Sequence, residues 1–461
     1  MERNIFANLS PLDHRYSLRE SDFKDYSEYF SEKATIEYQI KVELALVQAL
    51  NNRGVCEDEV VKEVKQAARE TEVEEVYAEE KKTKHNIRAL ANCLRRKVSK
   101  QSRPYIHLSA TSFDIVDTAN SLRYREAAFD LILPRLQELL LQWLEIAEQE
   151  NDTLQIGRTH GQHAEPITFG LVMAFYCSRL QERMEFFRRA AENLRGKMSG
   201  AVGAYNASSI FFTDPDEFEK EVLAELGLQP GPVSTQIVAP EYMTDYVHGL
   251  TSIFGILADF SDDMRHLQRT EIKEVGEYFA SDQVGSSTMP HKRNPINYEN
   301  VKSMWKEFMP RSITSYQDQL SEHQRDLSNS ASGRFIPEIA VGMLLCVDRL
   351  LRVSSRMHID KEEMKNNFAT TKEMVIAEPL YIILAAHGHP DAHEKVRRLT
   401  LEVEEKGTSL GELIKEDEEL QPYLEKLDQR QQKILYNPES YTGIAAQKTE
   451  KIVAEIKSKL N

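Results

Sequence analysis

The chain has 461 residues, with 58 Lys+Arg against 74 Asp+Glu and a formal net charge of −16. That balance excludes a general nucleic-acid or membrane-surface binder, although a local basic pocket remains compatible with it. The four cysteines (Cys56, Cys93, Cys177, Cys346) show no paired spacing and no run of about 18 apolar residues occurs, so a soluble, cytoplasmic protein without disulfide, zinc or membrane span is expected.

In chain order, helical patterns dominate, and few Gly and Pro imply long elements. Met1 to Ser10 has no long apolar run, and Arg15-Tyr16 follows it. Val60 to Lys82 is charge-rich and reads as a solvated helix face. Lys84-His85-Asn86 comes next. The cluster His107 to Asp114 pairs Thr111 with Asp114 as a capping box. It opens a long helix from Ser112 to about Asn151, with Pro134 as a possible bend. Within that helix Leu133, Leu136, Leu140, Trp143 or Leu144, and Ala147 recur at heptad-like steps. Thr153 to Ile156 reads as a short strand. Gly157 to Pro166 follows, and Pro166 reads as the start of another long helix from Ile167. Phe175, Ser178, Met184, Phe187, Ala191 and Leu194 form its looser apolar stripe. After Ser234-Thr235-Gln236 comes the most regular stripe: Leu250, Ile253, Leu257, Phe260, Met264 and Leu267.

The segment Gly285 to Pro295 packs small, donor-rich and cationic residues against a helix start. Asn294 suits the N-cap, Pro295 the first helical position, and Ile296 to Phe308 the helix. Lys292 and the serines then lie near the positive end of a helix dipole, a natural anion site. Arg325-Asp326-Leu327-Ser328-Asn329-Ser330 and Arg334 follow, and Gly388 to Pro390 marks a later turn. The fold expected is all-α in three helical domains: residues 1–109, a central long-helix bundle over 110–359, and 360–461.

Several of these residues have chemical uses. Histidine exchanges protons near neutral pH, so His160 between Gly157 and Gly161 is a candidate acid or base. Taken alone, a loop histidine is more often a surface residue; beside the Ser286–Lys292 segment the balance reverses. Arginines and a serine at the density of Arg325 to Arg334 suit a phosphate, because guanidinium forks match its oxygens.

Taken together, Arg15-Tyr16, Lys84-His85-Asn86, Thr111-Ser112, Thr159-His160, Gln236, the Ser286 loop and Arg325 to Arg334 resemble the superfamily of fumarase, aspartase, argininosuccinate lyase and adenylosuccinate lyase. The likeness spans nearly the whole chain. Pro290-His291-Lys292-Arg293-Asn294-Pro295, Arg158 to Pro166, and Arg325 to Arg334 are most similar to the adenylosuccinate lyase branch. One departure is Asn86, where many relatives carry Asp.

The resemblance implies cleavage of a C–N bond to release fumarate from adenylosuccinate, giving AMP, and from the related succinyl-carboxamide ribotide. By that analogy Ser286 is the base, His160 the general acid, and His85, Lys292 and Glu299 complete the catalytic set. Thr111, Ser112, Thr159, Gln236, Ser287 and Asn294 would bind the succinyl part. Arg15, Tyr16, Arg325, Ser330 and Arg334 would bind the phosphate, and Lys84 and Asn86 would also bind substrate, Asn86 through a hydrogen bond to the ribose or by orienting His85. No metal or cofactor is implied. A helix from Ser112 to Asn151 would be roughly 55–60 Å long at 1.5 Å per residue. Its start and the His160 loop should then lie at opposite ends of a bundle, so a homo-oligomer with shared sites is expected, a homotetramer by the family. The alternatives are another fumarate-releasing lyase, which His291 and Arg325 to Arg334 disfavour, and an idle helical scaffold, which intact Ser286, His160 and Lys292 disfavour.

Overall fold

A computed structural model describes residues 8–17, 20–278, 288–289 and 291–460 of the chain. The chain divides into two compact units, each assembled from three separate stretches. The first comprises Met1–Gln137, Glu182–Leu257 and Ser303–Asp348, and the second Glu138–Gln181, Ala258–Lys302 and Arg349–Asn461. Helices make up most of both, as the apolar periodicities require.

In the first unit the helices Glu32–Asn52, Asp58–Glu70, Val73–Thr83, Asn86–Lys97 and Ser112–Ala127 share one core. Val42, Leu46, Leu50, Leu90, Leu94, Ile115 and Phe218 are buried there. The charge-rich stretch Val60 to Lys82 is two helices rather than one face: Asp58–Glu70 buries Val60, Val61, Val64 and Ala67 and exposes most of its charges, and Val73–Thr83 follows with Val76 buried. The Ser112 helix is continuous in sequence with a π turn, Ala128–Ile132, and with the helix Leu133–Gln149. The wide turn immediately precedes Pro134. A proline lacks an N–H and crowds the carbonyl four residues back, so local loosening of the hydrogen-bond ladder lets the helix pass through it.

In the second unit an aromatic core forms around fully buried Trp143. Its ring lies 4.2 Å from that of Phe260 and 6.3 Å from that of Tyr176, and its indole N–H donates to Ser354 Oγ at 3.1 Å. Leu140, Leu144, Ala147, Phe260 and Met264 are buried as their spacing predicts. The C-terminal helices Ala377–Ala386, Ala392–Lys406 and Leu410–Glu416 enclose a further core of Leu380, Leu384, Val396, Leu399, Leu410 and Ile414.

Two expectations are corrected. Pro166 does not begin a helix: it lies in the strand Gln162–Thr168, paired with Ile156 of the strand Leu154–Thr159, and the helix begins at Phe169. Both strands of a two-stranded sheet are edges, so a residue without an N–H is tolerated there. In the helix Phe169–Glu192, Phe175 is 58% exposed, and the buried face runs instead through Met173, Tyr176, Leu180, Met184, Phe187 and Ala191.

The hairpin joins that helix at Gly170. A Cβ on Gly170 would meet the Asn151 Cα at 2.5 Å and the Ala147 and Glu150 carbonyl oxygens at 2.7 Å. These are backbone atoms that cannot turn aside. Gly170→Ala should therefore lower the unfolding free energy by about 1–3 kcal/mol in urea titration, despite Ala being the better helix former.

Candidate active site

In the first unit the helix starts do the positioning. His85 is the N-cap of the Asn86–Lys97 helix, and its Nδ1 accepts the Arg88 N–H at 3.2 Å. With Nδ1 an acceptor, the ring proton of the neutral form sits on Nε2, which lies 3.3 Å from Ser112 Oγ. Ser112 is the first residue of its own helix, capped by Thr111 and Asp114, and Asp114 accepts the Thr111 N–H at 2.8 Å. Asp114 is fully buried, ion-paired with equally buried Lys197, and also accepts the Gly200 N–H at 3.2 Å. The approach to Thr111 is unusual: His107 and Ser109 both have left-handed backbone, with φ of 61° and 66°. Buried Glu43 holds it, accepting the His107 N–H at 3.1 Å and meeting His107 Nδ1 at 2.7 Å.

Beside these helix starts lies a cavity of about 1230 Å³. Lys84, Asn86, Arg325, Ser330 and Arg334 all line it. The Arg325 guanidinium stacks 5.0 Å above the Phe113 ring, which fixes its direction without neutralising it. Arg15 and Tyr16 are not among the lining residues, although Ser10, Leu12 and Asp13 from the same turn are. Gln236 is half-buried and its neighbours Ile237 and Val238 reach the wall.

In the second unit Thr159 and His160 are exposed at the tip of the hairpin. His160 and Gly161 form its two-residue connection with φ of 55° and 75°, the backbone of a tight hairpin turn. The register shifts between Ile156 and Arg158, and a Cβ on the intervening Gly157 would lie 2.8 Å from the Glu165 carbonyl oxygen. The hairpin is held from its flank. Arg158 makes a bidentate pair with fully buried Glu274, at 2.6 and 3.1 Å. Gln155 and Asn367 donate to the same carboxylate at 2.7 and 2.9 Å. His163 Nδ1 lies 2.9 Å from Thr371 Oγ1, and burial followed by the Arg158 charge lowers its pKa, favouring the neutral ring.

Lys292 and Glu299 are exposed and Asn294 is half-buried, just before and within the helix Ile296–Phe308 that the sequence predicts. Ser286 and Ser287 lie outside the described residues. The cavity also shows residues that sequence reasoning missed, chiefly Asp117, Asn120 and Arg123. Their signal was there: Phe113, Asp117, Asn120 and Tyr124 recur at steps of four, three and four, a polar pair set into a helical stripe.

The fold has close counterparts among solved structures. A 3-carboxy-cis,cis-muconate lactonizing enzyme from Pseudomonas putida superposes with a TM-score of 0.82 over 96% of this chain and 99% of its own, at 23% identity. A fumarate lyase from Mesorhizobium sp. BNC1 gives 0.81 over 94% and 97%, at 22% identity. A family model described as lyase matches residues 18–309, which sets the protein in the fumarate lyase superfamily. A second model, adenylosuccinate lyase C-terminal, matches residues 321–442. The adenylosuccinate lyase of Pyrococcus abyssi is 34% identical over 96% of this chain and 97% of its own length, and that of Methanocaldococcus jannaschii 32% identical over 98% and 96%. The chain belongs to the adenylosuccinate lyase family.

Two outcomes follow from this geometry. Arg158→Ala would leave the Glu274 carboxylate buried without its counter-charge, and unfolding free energy should drop by about 3–5 kcal/mol in chemical denaturation. The His107 pKa is raised above 6.5: burial opposes the charge, but the Glu43 charge and hydrogen bond outweigh it. This stabilisation is therefore complete below the unfolded pKa and fades as pH rises through the raised value. The melting temperature of the native chain should fall relative to that of His107→Gln across that interval.

Proposed function

We propose that this chain catalyses the β-elimination of fumarate from adenylosuccinate, giving AMP, and acts likewise on succinyl-aminoimidazole-carboxamide ribotide in purine nucleotide biosynthesis. The observation that carries this reading is the cavity lined by Lys84, Asn86, Arg325, Ser330 and Arg334, next to the paired His85 and Ser112. Two guanidinium groups, a hydroxyl and an ammonium around one space match a phosphate monoester. A nucleotide substrate needs such a cradle; argininosuccinate and aspartate do not.

The chemistry poses two problems. A proton must leave the carbon beside a carboxylate, and the resulting dianion needs stabilisation. Ser286 is the base in this reading, its alkoxide favoured by Lys292 and by the amides leading into the Ile296 helix. Lys292 and Asn294 hold the succinyl carboxylates with Thr111, Ser112, Thr159, Gln236 and Ser287, while Glu299 orients the loop or His160. The C–N bond then breaks, its electron pair passes to the leaving amine, and His160 protonates that nitrogen. Asn86 supplies no charge, so its part is hydrogen bonding to the ribose or to His85. Arg15 and Tyr16, which do not line the cavity in this structure, would join the phosphate when substrate binds.

We also infer a cytoplasmic homotetramer with sites completed between subunits. The exposed apolar side chains Leu141 and Phe175 of the second unit support burial in an assembly. The helix from Ser112 continues through the π turn Ala128–Ile132 into Leu133–Gln149, which supports that reading.

Incubation with adenylosuccinate should produce AMP, followed by ultraviolet absorbance, and argininosuccinate should not react. Reaction with argininosuccinate alone would transfer the assignment to a sister activity. His160→Ala and Ser286→Ala should each lower kcat by at least about 10²-fold with the circular dichroism spectrum unchanged. Mixing the two inactive variants should restore part of the activity. No recovery in oligomers shown to be mixed would count against shared sites.

A further inference from the structure

Asp117 lines the same cavity and has no part in the roles above. It follows Phe113 by four residues on the Ser112 helix, so both side chains share one helical face. Across that face lies Arg325, stacked on Phe113. Asp117 Oδ2 also accepts the Val238 N–H at 2.9 Å. Val238 closes the segment that carries Ser234, Thr235 and Gln236.

That segment has no helix or strand to hold it. Thr235 N–H donates to the Ile237 carbonyl at 3.0 Å, and Ser234 Oγ meets Ser199 Oγ at 2.5 Å. Gly203 lies so close that a Cβ there would fall 2.0 Å from the Ser234 carbonyl oxygen. One end of the segment is therefore packed on the Ser199–Gly203 loop. The other end is tied by Asp117.

We propose that Asp117 is a positioning residue for the elimination. It holds the Gln236 segment through Val238 and faces Arg325 with its charge, and so sets the spacing between the succinyl-binding and phosphate-binding sides of the cavity. The inference rests on the proposed function.

The charges around Asp117 are Lys197 and Arg325, which favour its ionised form, and Asp114, which opposes it. Burial outweighs them all and pushes its pKa up to about 6. The folded pKa exceeds the unfolded value of 3.8, so folding takes up a proton between the two. Stability contributed by this group falls as pH rises from the unfolded to the folded value, and at pH 7.5 the ionised carboxylate opposes folding. A purely structural acceptor would have no such cost, because an amide could serve.

Two variants separate these roles. Asp117→Asn keeps an acceptor for the Val238 N–H and removes the charge; Asp117→Ala removes both. In the ligand-free protein, amide exchange in peptides spanning 234–240 should quicken about tenfold in the Ala variant and stay unchanged in the Asn variant. At pH 7.5 both should raise the KM for adenylosuccinate at least about fivefold, with kcat within about threefold. The native enzyme's KM should rise as pH falls through about 6, and the Asn variant should lose that dependence. The Asn variant should melt no lower than the native protein at pH 7.5. Unchanged KM and unchanged pH dependence in both variants would overturn the proposal, as would a lower melting temperature with KM intact. If the native protein does not turn adenylosuccinate over, the proposed function fails; unchanged exchange in the Ala variant would then remove the anchor as well.

Discussion

The fully buried Asp114 carboxylate is the constraint on which the first unit turns. A charge without water around it is tolerable only if counter-charge and hydrogen bonds replace the lost hydration. Lys197, the Thr111 N–H and the Gly200 N–H meet that demand, and each comes from a segment with its own part in the site. Thr111 places Ser112 against His85. Lys197 and Gly200 hold the loop on which Ser234 packs. The same network extends through buried Glu219, which accepts the Met198 N–H at 2.6 Å and the Tyr205 hydroxyl at 2.6 Å. One carboxylate thus makes a helix start, a loop and a cavity wall mutually dependent.

The second unit solves a related problem with a different group. Glu274 is as buried as Asp114, and its three partners all brace the hairpin: Arg158 and Gln155 from within it and Asn367 from the helix Lys361–Val375. Farther along, Glu165 and Glu378 share a hydrogen bond that raises the Glu165 pKa, and the Tyr441 hydroxyl donates to Glu378 at 3.0 Å. A two-stranded ribbon is marginal by itself. Here the buried Glu274 contacts and an apolar cluster of Ile156, Phe368 and Val375, rather than a third strand, hold the ribbon in place.

Much of this was legible in the chain alone. Apolar spacing identified the Leu133–Ala147 and Leu250–Met264 faces, because one side of a long helix must be continuous to be buried. The capping pair at Thr111 and Asp114 marked a helix start to the residue. Pro166 misled because proline carries the same backbone preference at a helix start and on a strand edge; only the partner strand decides, and pairing is a non-local fact. Phe175 differs because apolar spacing fixes a helix face only to within a residue or so, and the buried side here runs one position over, through Tyr176. Asp117 went unread since a lone acid in a helix is normally solvated, and its neighbours Val238 and Arg325 lie more than a hundred residues away.

The backbone at the hairpin tip carries an evolutionary consequence. His160 occupies a left-handed position that glycine or asparagine would fill at lower energy, since a β-carbon there crowds the main chain. A sequence optimised for folding alone would read Asn-Gly at this corner. Libraries screened purely for thermostability should thus be drawn toward erasing the imidazole, and descendants freed from turnover should drift the same way. On the role proposed for His160, the identity of this single corner residue would separate a chain maintained for chemistry from one maintained for shape.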